Sequence, residues 1–120
     1  MVSKELESVE AISVKVSIKD IASLIGSVCE SSYGVIGLTD VKDVRNTFAT
    51  ILNKENYVEG ILLRKVRSKY VVDVHVVIVS GVKISEVVNE LSKRISYNLE
   101  QQYGKIFSKI NIFVEELRVI

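Results

Sequence analysis

The sequence is poor in the residues that cross-link, ligate metals or stack on bases. Cysteine and histidine each occur once in 120 residues, and proline and tryptophan are absent. A single cysteine excludes an internal disulfide, and no second histidine or cysteine lies near enough in sequence to complete a zinc shell. Aromatic residues make up 7% of the chain, so few could serve as stacking platforms for RNA. These shortages argue against a disulfide scaffold, a zinc module and an RNA-recognition motif.

Long apolar runs and an excess of one charge are missing as well. No run reaches the ~20 residues that span a bilayer, and the charged N-terminus, MVSKELESVEA, lacks the apolar core of a signal peptide. The formal net charge is +1, so nucleic acid would need a local basic patch. With 48% hydrophobic and 26% charged residues, we predict one cytoplasmic domain over residues 1–120, with 1–10 as a candidate disordered segment.

Hydrophobic periodicity in the first half predicts a strand followed by two helices. Ile12 to Ser17 alternates apolar and polar residues, as a half-buried strand does, and Ser17 is placed to cap the next helix. That helix has an apolar stripe and stops at Gly34. Val35 to Leu38 is a short connector or strand. A second amphipathic helix ending near Asn53 is predicted from Val41, Val44, Phe48, Ile51 and Leu52.

Two runs rich in β-branched and aliphatic residues, Tyr57 to Arg67 and Tyr70 to Val79, predict a pair of strands after the loop NKEN. The two residues between the runs leave room only for a tight turn. A two-residue turn sets Arg64 opposite Asp73 and so pairs opposite charges. We therefore expect a hairpin in this register.

A long helix follows Gly81, opens at Ile84 and stops at Gly104. Its core-facing positions are Ile84, Val87, Val88, Leu91, Ile95, Leu99 and Gln102. Its polar side carries Glu90 and Arg94 at the spacing of a favourable surface pair. The segment KINIFVEELRVI closes the chain as a strand. The order β-α-(α)-β-β-α-β predicts an α+β, two-layer domain, in which helices cover one face of a small, mostly antiparallel sheet.

The single histidine lies in the second strand of the hairpin, where alternation gives one purely apolar face. That face belongs under the helices, so the face that carries Asp73 and His75 is the outer one. A metal site or an acid–base pair could form there, and Cys29 could be activated if the histidine reached it. We favour a structural interpretation, in which Asp73 pairs with Arg64 and Cys29 is a small core residue.

The outer face also has apolar residues around its polar ones, and such patches mark contact surfaces more often than free ones. We therefore predict self-association or partner binding through the sheet, with no metal, cofactor or catalytic residue. The predicted contact surface consists of Val71, Asp73, His75, Val77, Val79 and Phe113.

A basic rim, which we define as Arg64, Lys65, Arg67 and Lys69, lies at one end of the hairpin. It supports an alternative function, a small RNA-binding domain whose binding would depend on salt. Gly34 to Gly37 also resembles the backbone-clamping loop of a KH domain, but its two middle residues are apolar where phosphate would lie. Basic side chains at strand ends are usually solvated and discourage edge pairing, so RNA binding is the second hypothesis.

The second half of the chain combines a valine-alternating strand, a Gly-Val turn, a long helix that opens with Ile-x-Glu-Val, and a closing apolar-alternating strand. These lie at Val72 to Val79, Gly81 and Val82, Ile84 to Val87, and Ile110 to Val114. Upstream, IKDIASLIGSVCESSYGVIGL holds a helix followed by Gly-Val-x-Gly, at Gly34, Val35 and Gly37. This pattern, over nearly the whole chain, resembles the bacterial alkaline-shock-protein family, which includes small YloU-like general stress proteins.

The resemblance implies a non-enzymatic cytoplasmic protein of the envelope stress response or envelope homeostasis. Larger members of the family are held at the membrane by a separate anchor protein and assemble into higher-order structures. Small members are often encoded beside a fatty-acid-kinase-like protein. The expected partners are therefore further copies of this chain, a membrane-anchored protein or a fatty-acid-kinase-like protein. Nucleic acid and direct membrane insertion are not expected, and the family has no active-site residues to carry over.

Overall fold

The computed structural model describes residues 17–40 and 49–120. In chain order the elements are α1 (Ile18–Glu30), β1 (Val35–Leu38), a 3-10 helix (Lys54–Gly60), β2 (Ile61–Val66), β3 (Lys69–Val79), α2 (Ile84–Tyr103) and β4 (Phe107–Arg118). The predicted α+β class is confirmed. Segment 1–10 and, apart from Ser17, the predicted strand over 12–17 lie outside the described residues.

β3 is the central strand of a four-stranded sheet. β4 pairs with it in parallel from Tyr70 to Val79 and so occupies one of its edges. The two antiparallel partners therefore share the other edge, where β2 pairs with residues 69–74 of β3 and β1 with residues 76–78. The chain passes from β3 to β4 through α2, because parallel neighbours need a crossover connection.

The inner face of β3 forms the floor of the core. Its apolar side chains are completely buried, and α1 and α2 cover them with apolar stripes at helical spacing. Burying each such side chain stabilises the fold by roughly 1.5–3 kcal/mol. The strand residues are Val72, Val74, Val76 and Ile78, and the helix residues include Ile21, Ile25, Leu91, Ile95 and Leu99. The predicted assignment of faces is confirmed.

α1 begins where the sequence predicts, but it ends at Glu30 with Ser31 as its C-cap, before the predicted stop at Gly34. The Ser17 hydroxyl accepts a hydrogen bond from the Asp20 backbone N–H at 3.0 Å, which is the predicted N-cap. After Glu30 the chain turns through Gly34, whose φ of 82° favours glycine. The Gly34 carbonyl accepts a hydrogen bond from the Val79 N–H at 2.9 Å, which fastens the start of β1 to β3.

Residues 54–60 form a 3-10 helix and not the loop and strand that the sequence predicts. Tyr57, 2% exposed, packs its ring against Gly26 of α1, and its hydroxyl donates a hydrogen bond to Glu30. The strand predicted over 57–67 therefore begins only where the 3-10 helix ends, because Tyr57 is anchored in the helix layer.

The hairpin turn consists of Arg67 and Ser68, one residue earlier than predicted. Arg67 has a φ of 60°, within the left-handed region that tight hairpin turns use. Arg64 lies opposite Val71, so the predicted register with Asp73 directly opposite is wrong. The difference is two residues, an even number, so every side chain keeps its face. Arg64 still reaches Asp73 along the diagonal.

The second predicted helix is wrong in its described part. Residues 49–53 are not helical, and the rest of that prediction lies outside the described residues. Ile51 forms an antiparallel bridge with Thr39, just after β1, and Leu52 is 8% exposed. Bridging to the end of β1 pairs the backbone at Ile51, and Leu52 beside it is buried.

Arg94 of α2 turns to the end of α1 and does not pair with Glu90 as predicted. Its guanidinium donates to the Ser32 hydroxyl at 2.5 Å, the Ser31 hydroxyl at 3.1 Å and the Val28 carbonyl at 3.4 Å. The positive charge of Arg94 is attracted by the partial negative charge at the C-terminus of α1. The contact joins the two helices over the core.

Candidate functional site

The outer face of the sheet is the side of β2, β3 and β4 turned away from the helices. It consists of Leu62, Arg64 and Val66 on β2, Val71, Asp73, His75, Val77 and Val79 on β3, and Lys109, Asn111, Phe113, Glu115, Glu116 and Arg118 on β4. All six residues of the predicted contact surface share this face. The five on β3 lie two residues apart along the strand, and Phe113 of β4 pairs with His75.

Asp73 is the centre of a hydrogen-bonded group that crosses three strands. Arg64 Nη2 donates to its carboxylate oxygens at 2.9 and 3.1 Å, and the Asn111 amide donates at 2.9 Å. Asp73 is only 8% exposed, and a buried carboxylate needs such donors to offset its lost hydration. The predicted pairing of Asp73 with Arg64 is present, and its role is to fix the three strands relative to one another.

His75 is held by its two neighbours on β4. Its ring stacks on Phe113 with centroids 4.9 Å apart and planes 16° from parallel. Its Nδ1 lies 2.5 Å from the Glu115 carboxylate, and 15% of the histidine side chain is exposed. This agrees with the partly covered histidine expected from the sequence, and it separates His75 from Asp73, whose partners are different residues.

Glu115 and Glu116 both reach outer-face partners, although adjacent strand residues are expected to point to opposite faces. The pairing of β4 with β3 shifts register here, because Val76 aligns with Val114 and Val77 with Glu116. The extra residue of this β-bulge lets Glu115 contact His75 while Glu116 contacts Arg118. The bulge has no clear sequence signal.

Glu116 and Arg118 form a second charged group at the end of β4. Arg118 donates to both carboxylate oxygens at 3.0 Å, and the Ala49 N–H donates at 2.7 Å. These hydrogen bonds, chiefly those from Arg118, lower the pKa of Glu116 below its usual value. Arg118 also donates to the Ala49 carbonyl at 2.5 Å. The group ties the described end of the β1-to-3-10 connection to β4, and sequence reasoning missed it.

Exposure on the outer face is greatest at its two flanks. Val71, Asp73 and Val77 are 7%, 8% and 0% exposed, so the middle of the predicted contact surface is already covered within the chain. The apolar side chains that remain open on this face are Leu62, Val66 and Phe113, at 48%, 44% and 43% exposure. The predicted contact surface did not include Leu62, which lies two residues before Arg64 on β2 and therefore on the same face. The open part of the face is thus two apolar flanks around a hydrogen-bonded polar centre.

Cys29 lies on the helix side of the sheet, away from His75. It is 0% exposed, and burial raises the pKa of its thiol to about 12, so a thiolate does not form near neutral pH. Within residues 17–40 and 49–120, no group of three or more His, Cys, Asp or Glu side chains could hold a metal ion. Six titratable groups of the outer face are paired with one another, which suits a structural role: Arg64 with Asp73, His75 with Glu115, and Glu116 with Arg118.

The basic rim lies at the free end of the hairpin and is exposed. Arg64 differs from the other three residues of the rim because its guanidinium forms a salt bridge with Asp73. Lys69 Nζ donates to the carbonyl of Lys105 at 2.9 Å, so the connection between α2 and β4 lies beside the hairpin end. Lys65, Arg67 and Lys69 thus lie together with Lys105 at one end of the sheet. None of the described helices is both long enough and apolar enough to cross a membrane.

A family model for the alkaline shock protein 23 family, described as having a cell envelope-related function, matches residues 6–119. An uncharacterized protein of Streptococcus pyogenes serotype M6, Spy1614, is 32% identical over 116 residues, which cover 89% of this chain and 96% of that protein. The uncharacterized protein YloU of Bacillus subtilis is 27% identical over 106 residues, or 88% of each chain. These matches extend over almost the whole sequence.

Among solved structures, a variant of the MamM CTD aligns with 82% of this chain and 93% of its own. The sequence identity is 10% and the TM-score 0.47. A similarity this distant supports no conclusion about function.

Proposed function

The chain belongs to the alkaline shock protein 23 family, which has a cell envelope-related function, and from this premise we propose a non-enzymatic accessory protein of the envelope. The protein acts by contacts with further copies of itself and with partner proteins, through the outer face of the sheet. It works in the cytoplasm and reaches the membrane through a partner. As the family resemblance implies, that partner is a membrane-anchored protein or a fatty-acid-kinase-like protein.

The state of the reactive side chains supports a contact function over catalysis. The Asp73 carboxylate is occupied by Arg64 and Asn111, and the His75 ring is held between Phe113 and a carboxylate. A general acid or base needs an open hydrogen-bond position towards its substrate. The hydrogen bonds of these groups join neighbouring strands and so hold the outer face of the sheet in one arrangement.

The single observation that carries the proposal is the exposure pattern of the outer face. Leu62 of β2 lies opposite Asp73, and Phe113 of β4 lies opposite His75. Two strand spacings and two residues along the strand separate these flanks, so they lie about 12 Å apart on either side of the polar centre. Large exposed apolar side chains, aromatic ones among them, are enriched on contact surfaces.

Size-exclusion chromatography with light scattering, over a range of concentrations, tests self-association. The wild-type chain should have a mass above that of one chain. Leu62→Ser with Phe113→Ser should raise the dissociation constant about 30-fold or more, since the loss of two large apolar contacts of at least about 1 kcal/mol each amounts to about 2 kcal/mol. A matched control is Val58→Ser with Ile84→Ser, two exposed apolar residues away from the outer face, at 37% and 38% exposure. The control should associate as the wild type does.

A wild-type chain that stays monomeric throughout, or an outer-face variant that associates as strongly as the control, would contradict the proposed surface. The link to the envelope is tested in cells that lack the protein and are grown under envelope stress. The wild-type and control genes should restore growth, and the outer-face variant should not. Full restoration by the outer-face variant would show that the function does not depend on this contact.

A further inference from the structure

Five basic side chains lie together at the hairpin end of the sheet, and we call this surface the basic end. Its residues are Lys65, Arg67, Lys69, Lys105 and Lys109. All five are exposed, and none of them forms a salt bridge with an acidic residue of the described chain. Arg64, on the same hairpin, is left out of the set because Asp73 already neutralises its charge.

The fold assembles the basic end from two distant segments. The Tyr70 N–H donates to the Ile106 carbonyl at 2.8 Å, and Lys69 Nζ donates to the Lys105 carbonyl. Lys109 then lies beside Val71 in the parallel pairing of β4 with β3. The parallel alignment is decisive, because it brings the start of β4 to the start of β3 and so to the hairpin turn.

The charge of the basic end is large compared with that of the whole protein. The chain has a formal net charge of +1, so five cations at one end leave a net −4 on the remainder. Such a molecule has a strong charge asymmetry, with potential concentrated at one end. A negatively charged surface would orient it with the hairpin forward.

We propose that the basic end binds the surface of an anionic phospholipid membrane, without insertion of a helix. Val66, 44% exposed, lies at the hairpin tip between two of the cations and offers an apolar side chain at headgroup depth. Juxtaposed Lys and Arg residues each favour an anionic lipid surface by about fivefold in binding constant, and the effect fades within a Debye length. The proposal rests on the charge distribution, adds a direct lipid contact to the partner-mediated association proposed above, and does not require self-association.

A membrane suits the basic end better than RNA. Single-stranded RNA is bound by stacking its bases on open aromatic rings beside the basic residues. Here the aromatic residues of β3 and β4 at this end face each other, since the Tyr70 and Phe107 rings lie with centroids 5.9 Å apart, and Tyr70 is 8% exposed. The cell envelope-related function of the family also places such a protein near lipid.

Vesicle co-sedimentation of the full chain tests the proposal. The protein should pellet with vesicles of phosphatidylcholine mixed with phosphatidylglycerol and remain in the supernatant with pure phosphatidylcholine. Salt near 1 M, where the Debye length is about 3 Å, should release it. Lys65→Gln with Arg67→Gln should weaken binding about 25-fold, from two contributions of about fivefold each. Both side chains are fully on the surface, so folding should be unchanged.

The matched control is Lys83→Gln with Lys93→Gln, which removes the same charge from exposed positions on or beside α2. It should keep most of the binding. Equal binding to neutral and anionic vesicles would overturn the proposal, and so would an equal loss in the control, because net charge alone would then explain the effect. Tighter binding to a single-stranded RNA homopolymer than to anionic vesicles, lost in Lys65→Gln with Arg67→Gln, would replace the membrane by nucleic acid.

Discussion

Gly26→Ala is expected to destabilise the protein, against the usual effect of this change in a helix. Alanine in a helix interior is normally more favourable than glycine by about 1 kcal/mol. In α1, however, a Cβ at this position would lie 2.3 Å from two ring carbons of Tyr57, where carbon atoms normally approach to about 3.5–4.0 Å. Tyr57 is 2% exposed and hydrogen-bonded to Glu30, so its ring cannot move aside without losing that contact.

The magnitude follows from these opposing effects. Overpacking in a core costs about 1–3 kcal/mol, and a disturbed hydrogen bond to a carboxylate costs about 1.5–3 kcal/mol if it is lost. Since the ring cannot move aside without losing the hydrogen bond, the two costs add, and after subtracting the helical gain of about 1 kcal/mol, Gly26→Ala should lower the free energy of unfolding by about 1.5–5 kcal/mol. The melting temperature should fall by about 4 °C for each kcal/mol.

Thermal and urea unfolding followed by circular dichroism give the free energies. Ser23→Ala, at an exposed position of the same helix, is the matched control and should stabilise by about 0.5 kcal/mol. In Gly26→Ala with Tyr57→Leu, the clash is absent, so the double variant should lose less stability than the sum of the single ones. If Gly26→Ala stabilises the protein as Ser23→Ala does, the close packing of Tyr57 on α1 is refuted.

Two further predictions concern the polar centre of the outer face and the behaviour at alkaline pH. Arg64→Ala should cost about 2 kcal/mol because it leaves the buried Asp73 carboxylate with fewer donors, whereas Asp73→Ala should cost less than about 1 kcal/mol because the half-exposed Arg64 guanidinium and the part-buried Asn111 amide can regain water; equal losses in urea unfolding would contradict this difference. Burial raises the pKa of Cys29 from 9.0 to about 12 and, with Glu30, that of Tyr57 from 10.0 to about 12. Between these pH values only the unfolded chain ionises, so the free energy of unfolding should fall as the pH rises above about 9. Cys29→Ala should make that fall less steep, and an unchanged slope in urea titrations at successive pH values would show that the thiol is not protected.

Much of the fold follows from local patterns. The alternation of apolar and polar residues in β3 identified its buried face, and the helical spacing of apolar residues in α1 and α2 identified their core-facing sides. Each pattern depends only on residues within one element. Errors arose where two elements meet. The hairpin register was wrong by two residues, and residues 49–53 bridge to the end of β1 although their spacing suits a helix. Such choices depend on partners far away in the chain.

The candidate site shows the same division. The alternation of side chains along the strands was enough to predict that Asp73, His75 and Phe113 lie on one face. Arg64 and Asp73 were recognisable as an oppositely charged pair. The contact of Glu115 with His75 could not be foreseen, because it requires the β-bulge between Val76 and Val77. The complete burial of Val77 could not be predicted either, since the exposure of a side chain depends on its neighbours in space and not on its residue type.

The sequence alone determined the order of α1, β2, β3, α2 and β4, the buried faces of α1, β3 and α2, and the family, because these depend on residues within a few positions of one another. Tertiary structure alone decided that β4 lies parallel beside β3. That pairing brings Lys105 and Lys109 to the basic hairpin end and Phe113 to His75. The physical reason is that charge density and surface exposure are sums over spatial neighbours, and only a folded chain defines which residues those are.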